Sequence, residues 1–288
     1  MKKHKIFRIF AIVAVLLTAV FVLAACSTQI NVPGSLTRQW DKTEQVLSYV
    51  IFGVKDGARD AEIGTMEMTV KKFEGETAAV GKKRLDNFTG HRASYQINMR
   101  KDGVDVEIKS EVAFTSDGEF SPLYSYKSIS DGEKAYTLTT EYIKKRSSTD
   151  CQWSYVKDGE TTSGAMTLKG VFYDNEMIFA LARSCPLDQI GETMNFAFTV
   201  ASPLDDPSSP TQMRLQATGK KEITYLADGQ PEAEVSAYGL SYVSANGGSN
   251  ALEIYCVKTS DFKVDAKETY IPAVIRQNGI EYVFNSKA

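Results

Sequence analysis

The side chains of this chain that could do chemistry are few and scattered. Four cysteines stand at positions 26, 151, 185 and 256, and two histidines at 4 and 91. Thiolates attack carbon centres and bind soft metals, but no Cys-x-x-Cys and no Cys/His cluster occurs, so the spacing argues against a zinc site. A Ser-His-acid relay would have to use His91, because His4 lies in the basic N-terminal segment, and no Gly-x-Ser-x-Gly surrounds a serine. His91 opens an alternating segment and reads as a strand-end residue. Carboxylates are plentiful and two could approach as in glycosidases, yet nothing in their spacing selects a pair. Glycine-rich phosphate loops of the P-loop or dinucleotide type are missing. The sequence thus offers no catalytic residue, no metal ligand set and no cofactor motif, and the chain reads as a non-enzyme.

Cys26 is the cysteine with a context. Met1-Lys2-Lys3-His4-Lys5 and Arg8 precede an uncharged run of 17 residues, Ile9 to Ala25. A basic start, an apolar stretch and small residues make a secretory signal, and the run is at the short end of what crosses a bilayer. Leu23-Ala24-Ala25-Cys26 resembles the lipobox of bacterial lipoproteins. In that family the thiol receives a diacylglycerol and the signal is cut just before the cysteine. The implied protein is exported and anchored to the bilayer through acylated Cys26, on the extracytoplasmic face. Buried methylenes contribute about 0.8 kcal/mol each, and two chains hold stably where one does not. The division that follows is 1–25 signal, 26–39 lipidated cysteine and tether, 40–288 a single β domain. The tether, polar with Pro33 and Gly34, reaches at most about 40 Å when extended.

Removing the leader leaves 263 residues. It carries four of the 33 Lys and Arg, so 29 remain against 36 Asp and Glu, a net charge near −7. Such a balance disfavours nucleic acid and anionic headgroups as partners. Cys151, Cys185 and Cys256 are an odd set for an exported protein. They form one disulfide and a free thiol, or serve as three small buried apolar residues.

The elements that must position any site are strands. Asp-Gly pairs at 56, 102, 117, 131, 158 and 228 and the Asn-Gly pair at 278 tolerate the positive φ of tight hairpins. Between them side chains alternate, as in Tyr95, Ile97 and Met99 against Gln96, Asn98 and Arg100. One apolar and one wet face per strand marks antiparallel sheet. A meander this long twists and curls on itself, so it closes or has its concave side covered. Val46 to Val54 is apolar on both parities, which predicts a strand buried on both faces.

The cover is predicted at "YDNEMIFALARSCP", residues 173–186. Asp174 can cap a helix, Met177, Ile178, Leu181 and Cys185 share a face, and Pro186 stops it. The fold class expected is mainly β, a long antiparallel meander curled into an open barrel with one short covering helix. Met66, Met68, Met99, Met166 and Met213 fall on inward parities, with Met177 on the helix. Together with Ile178 and Leu181 they would line a cavity for an acyl chain or other apolar ligand, or fill gaps in a solid core. Arg183 ends the helix, where it either caps the dipole or turns inward to a ligand head group.

Several stretches in order resemble a family of bacterial exported proteins, the domain of unknown function numbered 3108. They are "LSYVIFGV" with "IGTMEM" and its central glycine, "SEVAFTSDGEFSPLYSYKS", "YDNEMIFALARSCPL" with "IGETMNFAF", and "YIPAVIR". The chain departs from that family around Glu176, where a serine is common, and over Met213 to Asn250. The resemblance implies a fold like the LolA and LolB lipoprotein carriers, strongly curved sheets with helices in the concavity. It implies no catalytic residues. The function expected is a membrane-anchored lipoprotein that binds a lipid or apolar small molecule. The alternative is a structural lipoprotein with a solid core that meets another envelope protein.

Overall fold

The computed structural model describes residues 44–116, 120–132, 134–170, 172–184, 187, 197–202, 211–226, 233–244, 252–258 and 270–285. The leader, Cys26 and the tether lie outside them, as do Cys185 and Pro186.

Eight strands come first: β1 (Glu44–Lys55), β2 (Ala58–Val80), β3 (Lys83–Lys101), β4 (Val104–Thr115), β5 (Pro122–Ser130), β6 (Ala135–Lys144), β7 (Thr149–Lys157) and β8 (Glu160–Leu168). A short crossover follows, with β9 (Tyr173–Asp174), a 3-10 turn (Asn175–Met177) and helix α1 (Ile178–Ser184). The rest is β10 (Ala197–Ser202), β11 (Thr211–Tyr225), β12 (Ala233–Ser244), β13 (Leu252–Lys258), β14 (Tyr270–Gln277) and β15 (Ile280–Phe284).

All belong to one sheet of 15 strands, ordered β8 back to β1, then β15 back to β9. Every pairing is antiparallel except β9 with β10. The two halves join where β1 pairs β15, Tyr49 opposite Phe284. The sheet's two ends, β8 and β9, are consecutive in sequence, with four residues between Leu168 and Tyr173. Such a link spans at most about 18 Å, so the far ends of the sheet must come back close together. Among the described residues no pairing joins them, and the curl is an open barrel.

Turn chemistry explains much of this. Asp56-Gly57, Asp102-Gly103, Asp158-Gly159 and Asn278-Gly279 have positive φ at both residues, from 48° to 83°, which gives the two-residue turn that matches strand twist. Asp131-Gly132 differs: Gly132 alone has positive φ, and the Asp131 amide donates to the Lys134 carbonyl at 3.1 Å. The pairs at 117 and 228 lie outside the described residues.

The helix forms where expected, but it is a plug rather than a cover. Asp174 is extended (φ −73°, ψ 147°), and its carboxylate accepts from the Glu176 amide at 2.7 Å, an N-cap. Ile178, Ala180, Leu181, Ala182, Arg183 and Ser184 are all buried. A helix buried at six of its seven residues sits inside a core, here among Leu47, Tyr49, Met68, Ile254 and Ile275 of the sheet's concave face.

One expectation needs correcting. β1 is not buried on both faces: Leu47, Tyr49 and Ile51 face the core, while Val46 is 49% exposed. Among the described side chains, those of β13, β14 and β15 are buried on both faces. On their outer side Tyr255, Val257, Ala273 and Val274 build a second cluster with Ile223 and Ala237. The apolar outer residues of β1 serve its extended backbone, for which Val and Phe are favoured, and Phe52 lies beneath the Arg59 guanidinium, 5.7 Å from its centroid.

Candidate functional site

Between the plug and the sheet lies a cavity of about 370 Å³, inside the size range of small-molecule sites. Met66, Ile97, Ile108 and Ile129 wall it from β2 to β5, and Leu252 and Tyr282 from β13 and β15. Ile178 and Phe179 of the helix and the ring of Tyr95 close it from within. Tyr95 meets Phe179 edge-on at 5.3 Å. Exposed Gln277 and Asn278, on the β14–β15 turn, lie at its mouth.

A polar arc borders these walls. Glu176 accepts from Ser110 Oγ, from Lys127 Nζ at 3.2 Å and from Asn175 Nδ2 at 3.2 Å. Asn175 Oδ1 in turn accepts from the Tyr242 hydroxyl at 2.5 Å. The arc ties β4, β5 and β12 to the start of the plug, so the same contacts that seat the helix shape the cavity. Behind it, Asp174 is buried and accepts from Ser125 Oγ at 2.7 Å and Tyr142 Oη at 2.5 Å. Burial, with the neighbouring Glu176 charge, raises its carboxyl to about 6, against hydrogen bonds that favour the charged form. Burial pushes the Tyr282 hydroxyl up to about 12 and Tyr95 still higher.

The residues expected to line a cavity are dispersed. Met66 and Ile178 line it. Met68, Met177 and Leu181 are buried in the adjoining core. Met99 packs on that core's border and lines a second groove, with Arg100 and Asp105. Met166 belongs elsewhere, in a small cluster with Tyr142, Cys151 and Leu168, because β8 is an edge strand beyond the plug's reach. Met213 is on β11, opposite Ser244, and its side chain lies outside the described residues. Arg183 does not reach the cavity. Its Nε donates to the Tyr270 carbonyl at 3.1 Å and its Nη2 to Gln45 Oε1, fixing the helix end to β14 and β1.

The other reactive groups are held out of reach. His91 is buried and stacked on Phe114 and Phe120, at 5.7 and 6.2 Å. Burial, then Lys72, lowers it to about 4. Cys151 and Cys256 are buried free thiols, Cys151 raised to about 12 by burial. Cys256 Sγ faces the Ala182 carbonyl at 3.9 Å.

Lys127, Ser110 and Tyr242 escape a reading of the sequence. Each is an ordinary alternating strand residue, and only the curl of the sheet brings them together. Asn175 and Glu176 directly follow the Asp174 cap in the first turn and are the members of the arc that carry a local signal. Compared with known proteins, the chain matches no family model, no curated protein and no solved structure, so its architecture rests on its own strand pairing.

Proposed function

We propose that this protein is an exported lipoprotein, held at the membrane by acylated Cys26, which binds an apolar ligand between its curved sheet and the α1 plug. The observation that carries the reading is the cavity of about 370 Å³ with mostly apolar walls and one polar border. A protein built only for stability fills such space, because interiors pack to near crystalline density. The reading includes no catalytic role: the buried, low-pKa His91 and the raised thiols are poor acid, base or nucleophile at neutral pH. Native mass spectrometry of the purified chain should find a co-purified small lipid, and a neutral fluorescent apolar probe should be taken up in competition with it. No adduct and no uptake would leave the cavity without a ligand. The anchor is tested separately, by palmitate labelling that Cys26→Ala abolishes.

A second reading, an interaction lipoprotein, draws on β8. This end strand has Thr161, Ser163, Ala165 and Thr167 exposed and contains no Lys, Arg or Pro to guard it. Cross-linking in intact cells from position 163 should then trap an envelope protein.

A further inference from the structure

We propose that the cavity selects a neutral single-chain lipid whose head group is a hydrogen-bond acceptor, of the monoacylglycerol ester class, taken by Lys127. This rests on the cavity being a ligand site, and goes further by specifying what enters it.

Size comes first. At about 30 Å³ per water-sized atom, 370 Å³ holds roughly a dozen non-hydrogen atoms. One chain of about ten carbons fills it, with its head against the polar arc at Lys127. A two-chain phospholipid is far too large.

Hydrogen-bond capacity comes second. The Glu176 carboxylate accepts from Ser110, Lys127 and Asn175, most of what a carboxylate accepts. Lys127 has three N–H donors, and among the described residues Glu176 is its one partner. At the Lys127–Glu176 pair the remaining capacity is therefore for donating, and a head group taken by Lys127 must supply the acceptor.

Charge comes third. Lys127 and Glu176 form a mostly buried ion pair, with side chains 19% and 10% exposed. Each charge already has its counter-ion beside it, so an anion reaching Lys127 also meets the Glu176 carboxylate, and a cation reaching Glu176 also meets Lys127. An ion of either sign would lose hydration there without matching compensation. An ester or hydroxyl oxygen accepts from Lys127 without that cost. Arg183, the one buried cation of the plug, is committed to Tyr270 and Gln45 and offers a carboxylate no second partner.

The test is equilibrium dialysis of three radiolabelled ten-carbon probes against the full chain in nanodiscs, with protein-free nanodiscs as blank. The probes are 1-decanoylglycerol, decanoate at pH 8 and decyltrimethylammonium. The neutral ester should bind at least about 10-fold more tightly than either ion, and Lys127→Met, whose urea midpoint should drop because Glu176 loses its partner, should weaken it about 10-fold under conditions where the variant remains folded. Equal or tighter binding of either ion overturns the head-group assignment while the apolar site stands. So does an unchanged affinity in folded Lys127→Met. Failure of all three probes to bind overturns the ligand site itself. The head-group series uses wild-type protein alone, so it decides the matter even where the variant does not fold.

Discussion

Arg59 on β2 reaches across β1, over the ring of Phe52, to Glu281 on β15, with Nε 2.6 Å from Oε2. Arg276 holds the other oxygen of Glu281, its Nε and Nη2 each at 2.9 Å, and Arg59 Nη2 continues to the Thr224 carbonyl at 2.5 Å. The network staples the seam where the two halves of the sheet meet. Glu281 is nearly fully buried, and removing one member of a buried pair strands the others. Glu281→Gln should therefore cost about 3–5 kcal/mol in urea unfolding. A loss below about 1 kcal/mol would mean the seam is held by backbone pairing alone.

Two glycines should differ in tolerance for a reason visible in their surroundings. A Cβ on Gly64 would lie 2.1 Å from the Asn98 carbonyl, which is backbone of the paired strand. A Cβ on Gly164 would lie 2.3 Å from Trp153, whose ring covers that bare stretch of edge strand. A side chain can shift where a ladder cannot. Overpacking costs about 1–3 kcal/mol, occasionally more. Gly64→Ala should reach or pass the top of that range, and Gly164→Ala should stay near the bottom with a changed Trp153 emission. Calorimetry showing the reverse order would contradict this account.

The buried thiols give a third expectation. Cys151 and Cys256 should react with a maleimide only as the chain opens, because burial both shields them and opposes thiolate formation. Peptide-resolved labelling should show both rates rising together with urea. Fast labelling of Cys256 in native buffer would mean that the α1 plug leaves its seat readily.

Local rules carried far in this chain. Asp-Gly and Asn-Gly pairs marked turns because a tight hairpin constrains its own two residues, and alternation in β3 predicted which side chains are buried. Asp174 declared the helix start for the same reason. What stayed illegible is nonlocal. Nothing in Val46 to Val54 says that its neighbour is β15, from the other end of the chain. The apolar excess of that segment pointed to two-sided burial, yet the covered outer face belongs to β13 and β14, assembled with Ile223 and Ala237 of β11 and β12. The cavity's polar arc likewise joins three strands and one turn that share no sequence signal. Arg183 illustrates the limit: a cation in the last helical turn has two ordinary roles, and only the positions of Tyr270 and Gln45 decide between them.

The last expectation concerns two buried titratable groups with opposed effects. Asp174 is raised from 3.8 to about 6 by burial and Glu176. The folded state therefore holds its proton more tightly than the unfolded chain. Its contribution is complete below pH 3.8 and is lost as pH rises through 6. His91 is lowered from 6.5 to about 4 by burial and Lys72, so its contribution is present above pH 6.5 and is lost as pH falls through 4. Each shift corresponds to about 3 kcal/mol, and the two nearly cancel between pH 4 and 6. Single substitutions should unmask them. His91→Phe, which keeps the stack with Phe114 and Phe120, should give a protein whose stability falls as pH rises from 4 to 6. Asp174→Asn, which keeps the cap, should give one whose stability rises over the same interval. Urea midpoints at pH 4, 5 and 6 for both variants decide the matter, since parallel profiles would show that neither group titrates differently in the folded interior and in the unfolded chain.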